Sequence, residues 1–366
     1  MSRARHVRIM AAAGLAAALA GCAAPSTLAP TADGAAVSQE ALNQRRLVAD
    51  RIMADQARLH AVTWKIAAAN ADLCGEKVAW RSGIAAATIR DFEGEWAGVA
   101  VEKFALDDRV TVTIVTPGSP AEAAGLRVKD KIVSIDGGAA PAGKRASEKL
   151  HEALEKALEG GRTVTLGLVR DGQPVTAALT PAKVCAPHPV YVDTQELNAY
   201  ADGENIFITR GMMRFLPEDK ELALVVAHEL AHNSEGHIDA KRTNAMAGAA
   251  GGLLLDVLAA AAGVNTQGAF SDAGARAASQ AYGVEFEQEA DYVGMYFLSR
   301  SGYPMDGVED VWRKMAAEHP ESIYSRNSHP TAPERFLAIG SARSEISTKR
   351  TGGAALMPNR KPQPTS

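Results

Sequence analysis

The chain has 366 residues, a formal net charge of −4, and a composition that is 46% apolar and 5% aromatic. That length accommodates two ordinary domains with extensions. A charge so nearly balanced excludes a surface built for polyanions, and no nucleic-acid partner is expected. Residues 1–21 begin with basic "MSRARHVR" and continue with the short apolar run "IMAAAGLAAALAG", followed by Cys22. This is the layout of an export signal, not of a folded segment. Residues 22–37 are small, Pro-containing and without apolar period, as in a flexible tether. Residues 38–92 open with a helical pattern in which Leu42, Val48, Ile52, Leu59, Val62 and Ile66 share one face. Ser38 is placed to cap that helix, and Gly75 lies beyond its end.

From 93 to 184 the texture becomes β-rich. The runs "WAGVAVEKF", "VTVTIV", "KIVSIDG" and "TVTLGLV" are separated by turn residues and interrupted by one helical segment, "ASEKLHEALEKALEGG". Residues 185–342 return to mixed character. "PVYVDTQELNAYADGENIFITRGMM" reads as strand, turn and strand, and "LPEDKELALVVAHELAHNSEGH" as a helix with Pro217 at its start and acids in its first turn. "AMAGAAGGLLLDVLAAAAG" is long enough to span a membrane, yet it contains Asp256 and many glycines, so a core or surface-flap helix is expected. "AASQAYGVEFEQEADYVGMYFLSRSG" is a further helix, and 343–366 is a polar tail expected to be disordered.

Leu19-Ala20-Gly21-Cys22 resembles the lipobox of bacterial lipoproteins. The resemblance implies acylation of Cys22 and a lipid anchor in the membrane. With Ala23 following, it also implies the periplasmic face of the cell envelope, at the outer membrane. Export places the remaining cysteines, Cys74 and Cys185, in an oxidising compartment, where one disulfide between them is the simple expectation.

Residues 93–184, through "WAGVAV", "VTPGSPAEAAGLRVKDKIVSIDG" and "LVRDGQPVTAALTP", resemble a PDZ domain of bacterial proteases. In such domains a loop of backbone N–H groups binds a C-terminal carboxylate while the peptide adds to the sheet as a strand. The resemblance puts that loop at Gly98, Val99, Ala100 and Val101 and implies a C-terminal peptide ligand. Ala100 departs from the pattern, since glycine is favoured where φ must be positive.

His228-Glu229-Leu230-Ala231-His232 is an HExxH motif. Residues i and i+4 share a helix face, so the two imidazoles can ligate one Zn2+ at about 2.0–2.1 Å. Glu229 sits beside them as a base for a water molecule at the metal. The apolar approach "ELALVV" argues against a merely solvated helix face, because buried ionisable groups are costly unless paired or metal-bound. A catalytic site needs a third protein ligand. The position six residues after His232 is Ile238, which excludes the three-histidine arrangement of metzincins. Glu287 and Asp291 lie at i, i+4 in "EFEQEAD", so Glu287 can bind the metal while Asp291 orients a ligating imidazole. Glu289 remains open as an alternative ligand.

Together with "NAYADGENIFITRG" and "SHPTAPER", these motifs make residues 185–342 similar to the CAAX-prenyl-protease-like zinc metallopeptidases, which are gluzincins. The resemblance implies an edge strand at Asn198-Ala199 that pairs with substrate backbone. It also implies a His329 that either stabilises the oxyanion or serves as a removable extra ligand, and an Arg335 that holds this last segment. The expected architecture is α+β, a mostly helical peptidase with a small sheet plus an inserted β-rich PDZ-like domain. The expected function is zinc-dependent endopeptidase in envelope protein quality control, with one Zn2+ per chain and unfolded or misassembled polypeptides as substrates. The competing readings are a PDZ-based chaperone or adaptor whose proteolysis is minor, and an intramembrane protease. The latter would need more spanning helices than the two candidate segments at 9–21 and 245–264.

Overall fold

The computed structural model describes residues 27–261, 264–280, 283–324 and 330–361. By its internal contacts the chain divides into a short unit, 1–47, and a main unit, 48–366. The described part of the first unit is an exposed stretch and the opening turns of helix α1, Gly34–Ala69. This helix starts ahead of Ser38 because the Asp33 carboxylate accepts from the N–H groups of Ala35 and Ala36 at 3.0 and 3.1 Å. The Ser38 hydroxyl instead donates to the carbonyl of Gly34. The C-terminal half of α1 buries Leu59, Val62 and Ile66 in the larger hydrophobic core. Asn70 then donates to the carbonyls of Ile66 and Phe297.

Beyond α1 the chain leaves this core through β1 (Val78–Arg81), which pairs antiparallel with β8 (Ala182–Cys185), Val78 facing Cys185. A disulfide joins Cys74 to Cys185, with Cα atoms 5.6 Å apart. The inserted domain therefore departs and returns through one paired stem. Its sheet runs β2-β3-β4-β6-β7, formed by Ile84–Ala87, Thr111–Val115, Lys131–Ile135, Val164–Arg170 and Gln173–Leu179, and short β5 (Gly138–Ala139) pairs with β4. Helix α4 (Ala146–Leu158) covers the sheet, burying Leu150, Leu154 and Leu158 against Ile132, Leu166 and Leu168. The Leu150, Leu154, Leu158 spacing of four gives one continuous apolar stripe. Strand β2 lies ahead of residue 93, so the sheet begins earlier than the predicted domain boundary.

One expectation fails here. Residues 95–104 form helix α2 (Glu95–Phe104), and Gly98, Val99, Ala100 and Val101 are in its middle. Their N–H groups serve the helical ladder and cannot form a carboxylate-binding loop. Ala100 and Phe104, four residues apart, bury one face of α2 beside Leu106 and Met53. Helix α3 (Pro120–Ala123) is a single turn capped by Ser119.

After the insert the chain continues with a three-stranded sheet in the order β10-β11-β9, made of Ala199–Ala201, Asn205–Thr209 and His188–Val192. β9 and β11 are parallel, β10 and β11 antiparallel, and β10 is an edge. Helices follow: α5 (Arg210–Phe215), α6 (Asp219–Ser234), α7 (His237–Ala261), α8 (Ala269–Gln280), α9 (Gly283–Arg300), α10 (Asp310–Glu318) and α11 (Ala332–Thr351). α6 is buried from Glu221 to Asn233. α9 crosses it at Gly294, where a Cβ would meet the backbone nitrogen of His228 at 3.1 Å. The pair α7 and α8 stands out from this core with Leu253, Leu254 and Leu258 exposed. α7 is long and apolar enough to cross a membrane by length and composition. Its buried Asp256 turns inward and accepts from the Thr266 hydroxyl and the N–H groups of Phe270 and Ser271.

The tail departs from expectation as well. Residues 343–351 continue α11, and the chain stays ordered to Lys361. Ile346 is fully buried, Arg343 pairs with Glu309, and Arg360 forms a two-pronged ion pair with Glu235. These anchors are distant in sequence, and a local reading of a polar segment does not see them.

Candidate metal centre

Helix α6 presents His228 and His232 on one face, as an i, i+4 pair must. Their Nε2 atoms are 3.1 Å apart. α9 brings Glu287 up to the same point, with its carboxylate oxygens 3.4 Å from His228 Nε2 and 3.3 Å from His232 Nε2. All three residues are buried, and their donor atoms lie within 4.8 Å of one another. Two imidazoles and one carboxylate converging in an apolar interior fit a divalent metal of the zinc type, because the set is borderline-soft and leaves a coordination position open. Burying two ring nitrogens and a carboxylate at one point is costly unless a cation compensates them.

The surroundings fix each ligand. His228 uses its other nitrogen, Nδ1, to meet Asp291 Oδ1 at 2.9 Å. Asp291 in turn accepts two bonds from Arg335, at 2.7 Å from Nε and 2.6 Å from Nη2. The Arg335 guanidinium lies 3.4 Å over the Trp312 ring. Burial and the Arg335 charge both disfavour protonated His228, but its bonds to Asp291 and Glu287 outweigh them and raise its pKa to about 9. Burial also opposes ionisation of Asp291, yet Arg335 and His228 hold its pKa below the usual carboxylate range. For His232 burial prevails and lowers the pKa to about 4, so this ring is neutral and fit to donate a lone pair.

The sequence leaves Glu289 open as an alternative ligand. The structure places His237 Nδ1 2.9 Å from His232 Nδ1, and Glu289 3.2 Å from His237 Nε2. Glu289 is thus turned to His237 and not to the cluster. Gly236, at φ 71°, makes the turn that folds His237 back onto the end of α6. That Gly-His pair directly after the motif was the available signal, but it requires the turn to be known.

Glu229, buried beside His228, opens onto a cavity of about 310 Å3 that Asn198, Ala199, Met212 and Trp312 also line. Ala199 opens the edge strand β10, while Asn198 precedes it and accepts from the Thr209 N–H at 3.2 Å. The predicted His329 and Cys22 lie outside the described residues. Arg335 stands behind His228 in the structure, bonded to Asp291, and Thr331 with Glu334 caps its helix in a reciprocal capping box.

A helix bearing HExxH, completed by a glutamate and an aspartate from a second helix, is the ligand arrangement of gluzincin metallopeptidases. Residues 173–343 match the model of Peptidase family M48, and residues 97–180 match the PDZ domain model. The two matches overlap at β7, which belongs structurally to the inserted sheet. Among known proteins, a beta-barrel assembly-enhancing protease of Escherichia coli is 31% identical over 165 residues, covering 41% of this chain and 33% of that protein. The protein of the same name from Yersinia pestis is 29% identical over 188 residues, 49% of this chain and 36% of its own length. A putative one from Vibrio cholerae is 30% identical over 133 residues, 34% and 27% respectively. The matched region thus spans about a third of the length of these curated relatives.

Proposed function

We propose that the protein is a zinc-dependent endopeptidase of the bacterial cell envelope, held by a lipid on Cys22 at the periplasmic face of the outer membrane. On this reading it acts on unfolded or misassembled polypeptides, and its relatives' printed name suggests envelope β-barrel proteins among them. The observation that carries the reading is the convergence of His228, His232 and Glu287 beside Glu229, at a cavity bordered by an edge strand. Bound zinc would supply a Lewis acid that polarises the scissile carbonyl and acidifies water.

The chain's own groups do the rest. β10 is the edge strand of its sheet, so an extended substrate can add beside it as a further strand. That requirement selects segments free of their own secondary structure. Glu229 takes the proton of the attacking water and delivers it to the leaving amine. Asp291 keeps His228 in one tautomer by accepting at Nδ1, and Arg335 keeps Asp291 ionised. His329 is a candidate to stabilise the developing oxyanion or to cap the site in a resting state. The PDZ domain would deliver polypeptide ends, through a loop other than 98–101.

Glu229→Gln tests the reading in an unstructured protein substrate such as casein, with and without a chelator. The variant is expected to keep its metal and its fold and to lose roughly 10²–10⁴ in kcat, because only the base is removed. Cleavage at the wild-type rate would overturn the mechanism. Full physiological function of the variant would favour the chaperone reading.

A further inference from the structure

A second group of side chains has the donor set of the catalytic cluster. His151 and Glu155 stand one turn apart on α4 of the inserted domain, and His188 opens β9 of the peptidase sheet. The Nε2 atoms of His151 and His188 are 3.1 Å apart, and Glu155 Oε1 lies 3.4 and 3.3 Å from them. The corresponding distances at the catalytic cluster are 3.1, 3.4 and 3.3 Å. The three donor atoms again fall within 4.8 Å of one another. Hydrogen bonding alone accounts poorly for this arrangement. A neutral imidazole has one N–H, and here two ring nitrogens and one carboxylate oxygen that already accepts from Arg81 crowd together.

We propose that His151, Glu155 and His188 bind a divalent transition-metal ion of the zinc class, which clips the inserted domain to the peptidase sheet. Imidazole and carboxylate donors suit such ions, and three protein ligands leave room for water. The side chains are 51%, 40% and 31% exposed, so an ion can reach them from solvent. Arg81 is the opposing feature. It pairs with Glu155 and donates to the carbonyl of Ala186, and its charge competes with the ion for the same carboxylate. The mechanical consequence lies in what is joined. α4 moves with the inserted sheet, whereas β9 is bonded to β11, whose other neighbour is edge strand β10. An ion there would couple the orientation of the inserted domain to the strand that receives substrate.

The test is zinc stoichiometry of the full chain. Chelator-stripped protein is titrated with Zn2+, and bound metal is read by calorimetry and by elemental analysis after gel filtration. Wild type is expected to take up two equivalents, and His151→Asn and His188→Asn one each. His232→Ala is expected to lose the other equivalent and keep this one, so the catalytic assignment and this one fail separately. Arg81→Gln, which removes the competing charge, is expected to tighten the second equivalent several-fold. His151 is exposed on its helix, so His151→Asn remains informative even if His188→Asn misfolds. One equivalent in wild type, or two in His151→Asn, would overturn the proposal.

Discussion

At the scale of single residues, the cluster of His228, His232 and Glu287 is held by a short relay of charge. Asp291 is buried between His228 and Arg335. Asp291→Asn removes the negative charge and leaves Arg335 buried and uncompensated. Stability is expected to fall by about 3–5 kcal/mol, and zinc affinity by about 10–100-fold as His228 loses its orienting partner. Adding Arg335→Met should recover most of the stability but not the affinity, in urea titrations read beside zinc competition. Recovery of both would mean that Asp291 acts only through packing. That His228 and His232 share one helix face, and Glu287 and Asp291 another, was legible in the sequence, because i, i+4 spacing is geometry that any helix obeys. His237 was not, because its contact with His232 depends on a chain reversal at Gly236.

At the scale of elements, two helices must cross closely to assemble the ligands, and Gly294 sets their separation. A methyl group there would lie 3.1–3.2 Å from the backbone of Ala227 and His228. Backbone cannot rotate aside as a side chain can, so Gly294→Ala should push α9 from α6. The expected cost is about 1–3 kcal/mol from overpacking, together with weaker metal binding as Glu287 recedes. Unchanged affinity in the variant would show that the ligands adapt. The misreading of residues 98–101 belongs at this scale. "WAGVAV" is a short apolar run, and such runs suit a strand or a helix equally by periodicity. Only the burial of Ala100 and Phe104 on one face decides for the helix. The ordered tail was illegible for a different reason, since its anchors Glu309 and Glu235 lie far back in the chain.

At the scale of the whole molecule, the inserted domain and the peptidase keep separate hydrophobic cores. The chain passes between them through the β1–β8 stem, closed by the Cys74–Cys185 bond. A separation of 5.6 Å between the two Cα atoms is a gap that about two residues of extended chain can bridge. The insert is therefore a detachable cassette, one that can be lost, exchanged or acquired without re-threading its host. Replacing 75–184 with two glycines should give a folded peptidase that retains one zinc through His228, His232 and Glu287 and cleaves unstructured protein. It should lose the second equivalent, whose ligands on α4 leave with the cassette. An unfolded product would show that the host leans on its guest, and that the stem is a structural joint and not a seam.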